Sequence, residues 1–157
     1  MGHRLAGVLT AAAALAALGV AYFAQYVLLL TPCELCLWER WPYRIVAVLG
    51  LLAAMGRPRT ARLLLGLAGL VMLADVFIAG LHVGVEFGWW PSPLPECNGT
   101  LTPGAALPPT PATPCDRPVD LLQFLPVSMA QMDLLAASLF AATLLVYAAS
   151  RKTRRFR

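Results

Sequence analysis

Cys33-Glu34-Leu35-Cys36 lies where a long apolar run ends, and Cys97 and Cys115 are the only other cysteines in the chain. A C-x-x-C spacing lets two thiols close a small ring. A thiol at a helix N-terminus is favoured as the thiolate, the species that attacks disulfides. A second dithiol within reach of the first permits exchange in series. Cys33 and Cys36 therefore read as a redox-active pair that passes electrons into the membrane, with Cys36 held as thiolate by the helix start and by Arg40. Two other readings stay open: a structural disulfide, or half of a four-cysteine zinc site completed by Cys97 and Cys115. Zinc needs four ligands in a fixed tetrahedron, and a proline-rich loop is a poor cage, so no metal is expected. A bridge closing the loop between Cys97 and Cys115 would stabilise by roughly 3 kcal/mol in the entropy model, as a simple staple does. A flexible, exposed disulfide is equally suited to accept electrons from a soluble partner, and the nearby C-x-x-C favours that relay.

Several charged side chains lie close to these cysteines in sequence. Cys33, Cys36, Arg40 and Arg44 are spaced three, four and four, which puts them on one face if the segment is helical. An arginine facing a membrane needs a partner. For Arg40, one turn after Cys36, the expected role is donation to a quinone carbonyl or to the anion formed on its reduction. For Arg44 an interfacial cation near lipid phosphate suffices. Glu39 is a further candidate for the same pocket. His82 and Glu86, four residues apart, are candidates to relay a proton. They read equally well as an interfacial polar cluster. Asp75 reads as a partner in a helix–helix hydrogen bond.

The elements that must position these groups are membrane helices. Hydrophobic residues make up 59% of the 157 residues and charged residues only 13%, outside the range of soluble domains. Four apolar segments predict helices over about 5–30, 37–56, 63–81 and 128–149. Outer loops are expected over about 31–36 and 82–127, all within a single domain of residues 1–157. The first apolar run exceeds the ~7–15 residues of a signal-peptide core, so it is expected to be retained as a span. Arg4, Arg57, Arg59, Arg62 and the tail after Ser150 hold nine of the twelve Lys and Arg residues. That side should be cytoplasmic, with both termini inside and all four cysteines outside, in a disulfide-permissive compartment. The net charge of +4 follows from this topology and from contact with anionic lipid, with no nucleic acid implied. Between Pro91 and Pro118 nine prolines predict an extended, irregular loop. Trp89 and Trp90 suit the interfacial belt. Residues 119–125 are expected on the membrane surface, Ser128 should cap the last helix, and the Asn98-Gly99-Thr100 sequon is too short a match to use.

The chain resembles the DsbB family of bacterial inner-membrane thiol–quinone oxidoreductases. The resemblance rests on Gln25-Tyr26-Val27-Leu28-Leu29-Leu30-Thr31-Pro32-Cys33-Glu34-Leu35-Cys36 and on Glu39-Arg40. It continues through Gly84-Val85-Glu86, Pro91-Ser92-Pro93, Cys97, Cys115-Asp116-Arg117-Pro118 and Phe124-Leu125-Pro126-Val127-Ser128-Met129. It implies an all-α, integral-membrane four-helix bundle with two extracytoplasmic loops. It also implies a quinone (ubiquinone or menaquinone) as electron acceptor and a periplasmic DsbA-like thioredoxin-fold protein as donor. Cys97 would form the mixed disulfide with that partner, Cys115 and Cys33 would pair during interchange, and Cys36 would be the thiolate facing quinone with Arg40 beside it. Pro126 departs from the glycine frequent in the family, and the quinone-side histidine of some members has no direct counterpart, His82 being a neighbour. The vitamin K epoxide reductase family also combines a C-x-x-C with loop cysteines, but on a later helix. A non-catalytic four-helix membrane protein with two structural disulfides is the remaining alternative.

Overall fold

The computed structural model describes residues 2–94, 97, 114–119 and 127–150. Most of the proline-rich loop, the sequon, nearly all of the expected surface segment 119–125, Pro126 and the basic tail lie outside the described residues. Five helical elements follow one another: α1 (Gly2–Tyr26), α2 (Glu34–Trp38), α3 (Arg40–Met55), α4 (Pro58–Glu86) and α5 (Met129–Ala149). Among the described residues there are no β-strands. Helices α1, α4 and α5 are long and apolar enough to cross a membrane. With 16 residues, α3 spans only about 24 Å, short of a ~30 Å hydrocarbon layer.

The helix expected over 37–56 is divided. Pro42 has no N–H to offer the Trp38 carbonyl, and its ring crowds that carbonyl, so the ladder is interrupted at Glu39. One short helical turn, α2, straddles the boundary between the expected outer loop (31–36) and the expected helix (37–56). The first helix ends at Tyr26, earlier than the expected Leu30. The chain turns through Leu29, which takes the left-handed conformation at φ 56°, and Leu30 N–H donates to the Ala24 carbonyl at 3.0 Å. Helix α4 outruns the expected 63–81 at both ends. Pro58 opens it at a position where a missing N–H costs nothing, and the helix continues through Glu86, so the second outer loop starts at Phe87. Ser128 caps α5 as expected, its Oγ accepting from Gln131 N–H at 3.2 Å.

Packing is inverted relative to a soluble bundle. Large side chains such as Leu9, Phe23, Leu63, Phe77, Leu139 and Val146 are exposed, while Ala14, Ala53, Ala68, Ala79, Ala137 and Ala141 are buried. Lipid removes the hydrophobic drive for helix association, so close approach and dispersion must hold the helices together, and small residues permit both. The antiparallel α1–α3 crossing shows this most sharply. A Cβ at Gly7 would lie 2.5 Å from the Ala54 nitrogen, and one at Gly50 would lie 2.7 Å from the Ala11 nitrogen. Antiparallel pairs α3–α4 and α4–α5 complete the bundle. Arg57 and Arg59 mark its α3–α4 end, and the cysteines gather at the opposite end.

Gly50→Leu forces α1 and α3 apart at backbone contact. It is expected to destabilise by about 1–3 kcal/mol or more, while Gly19→Ala, with nothing within 4 Å, should be near neutral. Thermal unfolding in detergent followed by size-exclusion fluorescence checks this; equal effects of the two changes would contradict the packing account.

Candidate functional site

Three elements meet at the cysteine end: the chain from Thr31 through α2 into α3, the last turns of α4, and the Cys97–Cys115 bridge. Cys97 and Cys115 form a disulfide with a Cα–Cα distance of 5.0 Å. Cys33 and Cys36 are both free thiols. The bridge and Cys33 are buried in one apolar cluster with Leu35 and Val85, and Cys36, Leu81 and Leu94 pack against it. Both redox-capable pairs thus share one small core, although dozens of residues separate them along the chain.

The motif around residue 84 has a separate physical reason at each position. The Trp90 ring lies directly over Gly84, where any Cβ would collide with it, and Trp90 Nε1–H donates to the Leu81 carbonyl at 3.0 Å. Val85 turns into the cysteine cluster. Glu86 accepts from the Ser128 hydroxyl at 2.5 Å, which fastens the start of α5 to the end of α4. Glu86 and His82 therefore serve different neighbours, although they are one turn apart.

His82 is the residue that joins α4 to the dithiol. Its Nε2 lies 3.5 Å from Cys33 Sγ, and its Nδ1 lies 2.8 Å from Glu39 Oε1. Both His82 and Glu39 are buried, 2% and 7% exposed, so the contact is shielded from water. A carboxylate can only accept, so Nδ1 carries the proton and Nε2 is left to accept from the Cys33 thiol. Glu39 reaches His82 on α4, while the next residue, Arg40, reaches Gln25 on α1.

Arg40 is buried with its Nη1 donating to Gln25 Oε1 at 2.6 Å and its guanidinium 5.0 Å from the Tyr22 ring centre. Its Nε has no partner. Arg40, Gln25 and Cys36 line a small cleft whose other walls include Ala21, Ala24 and Met129. Arg44 donates to the Tyr22 hydroxyl at 2.7 Å and lies over Trp41. In the sequence Gln25 stood out only as the start of a matching stretch, with no role, and Tyr22 did not stand out; a polar residue near the end of a largely apolar helix was the available signal for Gln25. Asp75 is fully buried in α4 with both carboxylate oxygens unpartnered, so the helix–helix hydrogen bond expected of it does not form. Asp133 instead receives the Tyr43 hydroxyl at 2.7 Å.

The electrostatics correct one expectation. Cys33, not Cys36, is the N-cap of α2, and the Cys36 N–H donates to its Sγ at 3.3 Å. The two sulfurs are 2.8 Å apart. Donation by the Cys36 thiol, then by the Cys36 N–H, outweighs burial and lowers the Cys33 pKa below the ordinary thiol value. Its partner is pushed strongly upward, because Cys36 donates to Cys33 and gives up that proton last, with partial burial adding to the rise. A helix of five residues contributes little dipole; the two hydrogen bonds supply the effect.

With Cys33 lowered, its thiolate is present already below the ordinary thiol pKa and is lost only as pH falls through the lowered value. Titration of the reduced protein by thiolate absorbance at ~240 nm should show one proton leaving below about pH 8.5 and no second from this pair in the accessible range. Two thiolates appearing together at an ordinary value would contradict the hydrogen-bonded arrangement.

Residues 3–147 match the family described as "Disulfide bond formation protein DsbB". A protein of Herminiimonas arsenicoxydans named "Disulfide bond formation protein B" is 36% identical over 76 residues, covering 48% of this chain and 48% of that protein. The match thus spans about half the length of that curated relative. "Uncharacterized protein RP370" of Rickettsia prowazekii is 29% identical over 147 residues, covering 87% of this chain and 84% of that protein. No solved structure matches the chain. The family match runs through all five helical elements and both cysteine pairs, and the chain belongs to the DsbB family.

Proposed function

We propose that this chain is a membrane thiol–quinone oxidoreductase. It reoxidises a DsbA-like thioredoxin-fold oxidase and delivers the electrons to ubiquinone or menaquinone, which supports disulfide formation outside the cytoplasm. The observation that carries this reading is the shared burial of the Cys97–Cys115 bridge and the Cys33–Cys36 dithiol in one cluster. A cleft of about 560 Å3 lies on the bridge side, bordered by Trp89, Trp90, Cys97 and Arg117. Cys36 borders a separate cleft, the one holding Arg40. A water-soluble donor and a lipid-soluble acceptor can thereby use different clefts beside one relay.

The orientation follows from charge. Arg4, Arg57, Arg59 and Arg62 lie at the end away from the cysteines. By the positive-inside rule that end is cytoplasmic, so both termini are inside and the cysteines are periplasmic in a bacterial inner membrane. Four crossings require α3 to act as the fourth span, its shortness being covered by α2 and by packing between α1 and α4.

In the relay, a thiolate of the reduced partner attacks Cys97 and releases Cys115 as thiolate. Cys115 then attacks Cys33 of an oxidised Cys33–Cys36 pair, and Cys36 leaves. The partner's second thiol displaces Cys97, which attacks Cys115 and frees Cys33. The partner gains a disulfide, Cys97–Cys115 is restored, and two electrons rest on Cys33 and Cys36, the redox state the structure describes. His82, backed by Glu39, returns and removes the Cys33 proton in the buried cluster. DsbA is a strong oxidant, near about −120 mV, so reoxidising it needs a stronger sink below the dithiol.

The residues at Cys36 fit a quinone ring: apolar walls, a cationic donor, and one guanidinium N–H lacking a partner. The space there measures about 30 Å3, room for one water, so a ring would enter only with the walls of this cleft parted. Bound there, quinone would supply a two-electron, two-proton acceptor. Arg40, held by Gln25, would donate to its carbonyl oxygen.

Cys36→Ser is expected to abolish anaerobic quinone reduction by the purified protein with a dithiol donor; retained reduction would overturn the assignment. Arg40→Met removes a charge-assisted donor worth about 1.5–3 kcal/mol, so the KM for quinone should rise roughly 10- to 100-fold. Trapping of the Cys97 mixed disulfide should stay unchanged in the same variant. For His82→Asn, interchange between the two pairs in stopped-flow should slow about 100-fold or more at neutral pH, with recovery as pH rises. An unaltered pH profile would remove His82 from the proton path.

A further inference from the structure

Cys33 Sγ, Cys36 Sγ and His82 Nε2 lie within 4.8 Å of one another, and two of these three residues are buried. Such a donor set, two thiols and an imidazole, is that of a thiophilic cation. The remaining details are those of a built site. A zinc-bound histidine usually donates its second ring N–H to a carboxylate, which orients the ring and raises its basicity. Glu39 already holds His82 Nδ1 at 2.8 Å, leaving Nε2 turned to the sulfurs.

We propose that the reduced dithiol, together with His82, is a Zn2+ site with Glu39 as its outer carboxylate. The geometry can be tested edge by edge. Bonds of about 2.3 Å to sulfur and 2.0–2.1 Å to nitrogen in a tetrahedron require about 3.6 Å between S and N and about 3.8 Å between the sulfurs. The Cys33–His82 separation is 3.5 Å, already at that length. The sulfur–sulfur separation is 2.8 Å, so it must widen by roughly 1 Å. Cys36 is half-buried and borders open space at the Arg40 cleft, so its side chain has somewhere to move. The fourth position falls to water, the arrangement of an open three-ligand site. This site differs from a cage of four cysteines, because Cys97 and Cys115 are tied to each other.

Binding is linked to redox state. One Zn2+ displaces two thiol protons and takes the lone pair of neutral His82; no electrons move. Oxidation of Cys33 and Cys36 to a disulfide removes both thiolate ligands, so only the reduced form binds. Under the proposed cycle, zinc would hold the enzyme in its electron-loaded state and stop turnover. That consequence rests on the proposed function, while the binding itself does not.

The experiment uses the full chain in detergent without quinone, reduced under anaerobic conditions and titrated with Zn2+ against a chromophoric chelator. One Zn2+ per chain is expected, with Cys33 and Cys36 both protected from alkylation and protons released. His82→Gln should weaken binding about 10- to 100-fold and Glu39→Gln by about 10-fold, whereas a Cys97→Ala, Cys115→Ala double variant should bind as the parent does. Because His82 is buried and its replacement can disturb folding, zinc-edge X-ray absorption on the unaltered protein provides the second arm: two sulfurs and one imidazole bound to the metal. Loss of binding in the double variant, equal binding by the oxidised protein, or a spectrum with sulfur but no imidazole would each overturn the proposal. Metal-free quinone reduction is measured in parallel, so failure of the oxidoreductase reading shows separately from failure of the zinc site.

Discussion

The contact from Glu39 through His82 to Cys33 is the interaction on which the cysteine end depends. It crosses from the α2–α3 junction to the last turns of α4, and it is made of polar groups that water does not reach. A buried imidazole lacking a partner on either nitrogen would cost a few kcal/mol. A buried carboxylate without a donor would cost more. Each group is tolerable because the others are in place, so the segment carrying the C-x-x-C is held against α4 by its own chemistry. The Cys97–Cys115 bridge, packed on Leu35 and Val85, closes the same core from the loop side.

That core can be small because the bundle beneath it is narrow. Gly7 and Gly50 bring the α1 and α3 backbones into contact. Alanines on α3, α4 and α5 do the same with less severity. Close approach puts Tyr22 and Gln25 of α1 within reach of Arg44 and Arg40 of α3, so two cations near the hydrocarbon boundary find partners inside the protein. The two sulfurs of the C-x-x-C are thereby divided between two environments. Cys33 faces the histidine and the bridge, and Cys36 faces the arginine cleft. Within one short turn the two sulfurs therefore meet different neighbours.

The acidity of the pair follows the same division. Cys33 caps the short helix and accepts two hydrogen bonds from Cys36, so its sulfur carries the stabilised thiolate. Cys36, the sulfur beside Arg40, keeps its proton until its partner has lost one. A helix-start argument made on the spacing alone does not say which of the two sulfurs sits at the cap, and here it is Cys33.

Composition and cysteine spacing sufficed to read membrane-crossing helices and to draw attention to the four cysteines, since apolar runs without charge and a C-x-x-C are local properties. The cap at Ser128 and the end of the second helix just before Arg57 were legible for the same reason. The split at Glu39 was not read from the sequence, which predicted an unbroken helix over 37–56: whether Pro42 bends, tightens or breaks its first turn depends on what the flanking residues can bind. The pairing of Glu39 with His82, the gathering of both cysteine pairs at one cluster, the Gln25–Arg40 bond and the unpartnered Asp75 were decided by tertiary structure. Each depends on residues far apart in the chain, across helices whose faces are nearly all apolar, so no periodicity in the chain marks which side turns inward.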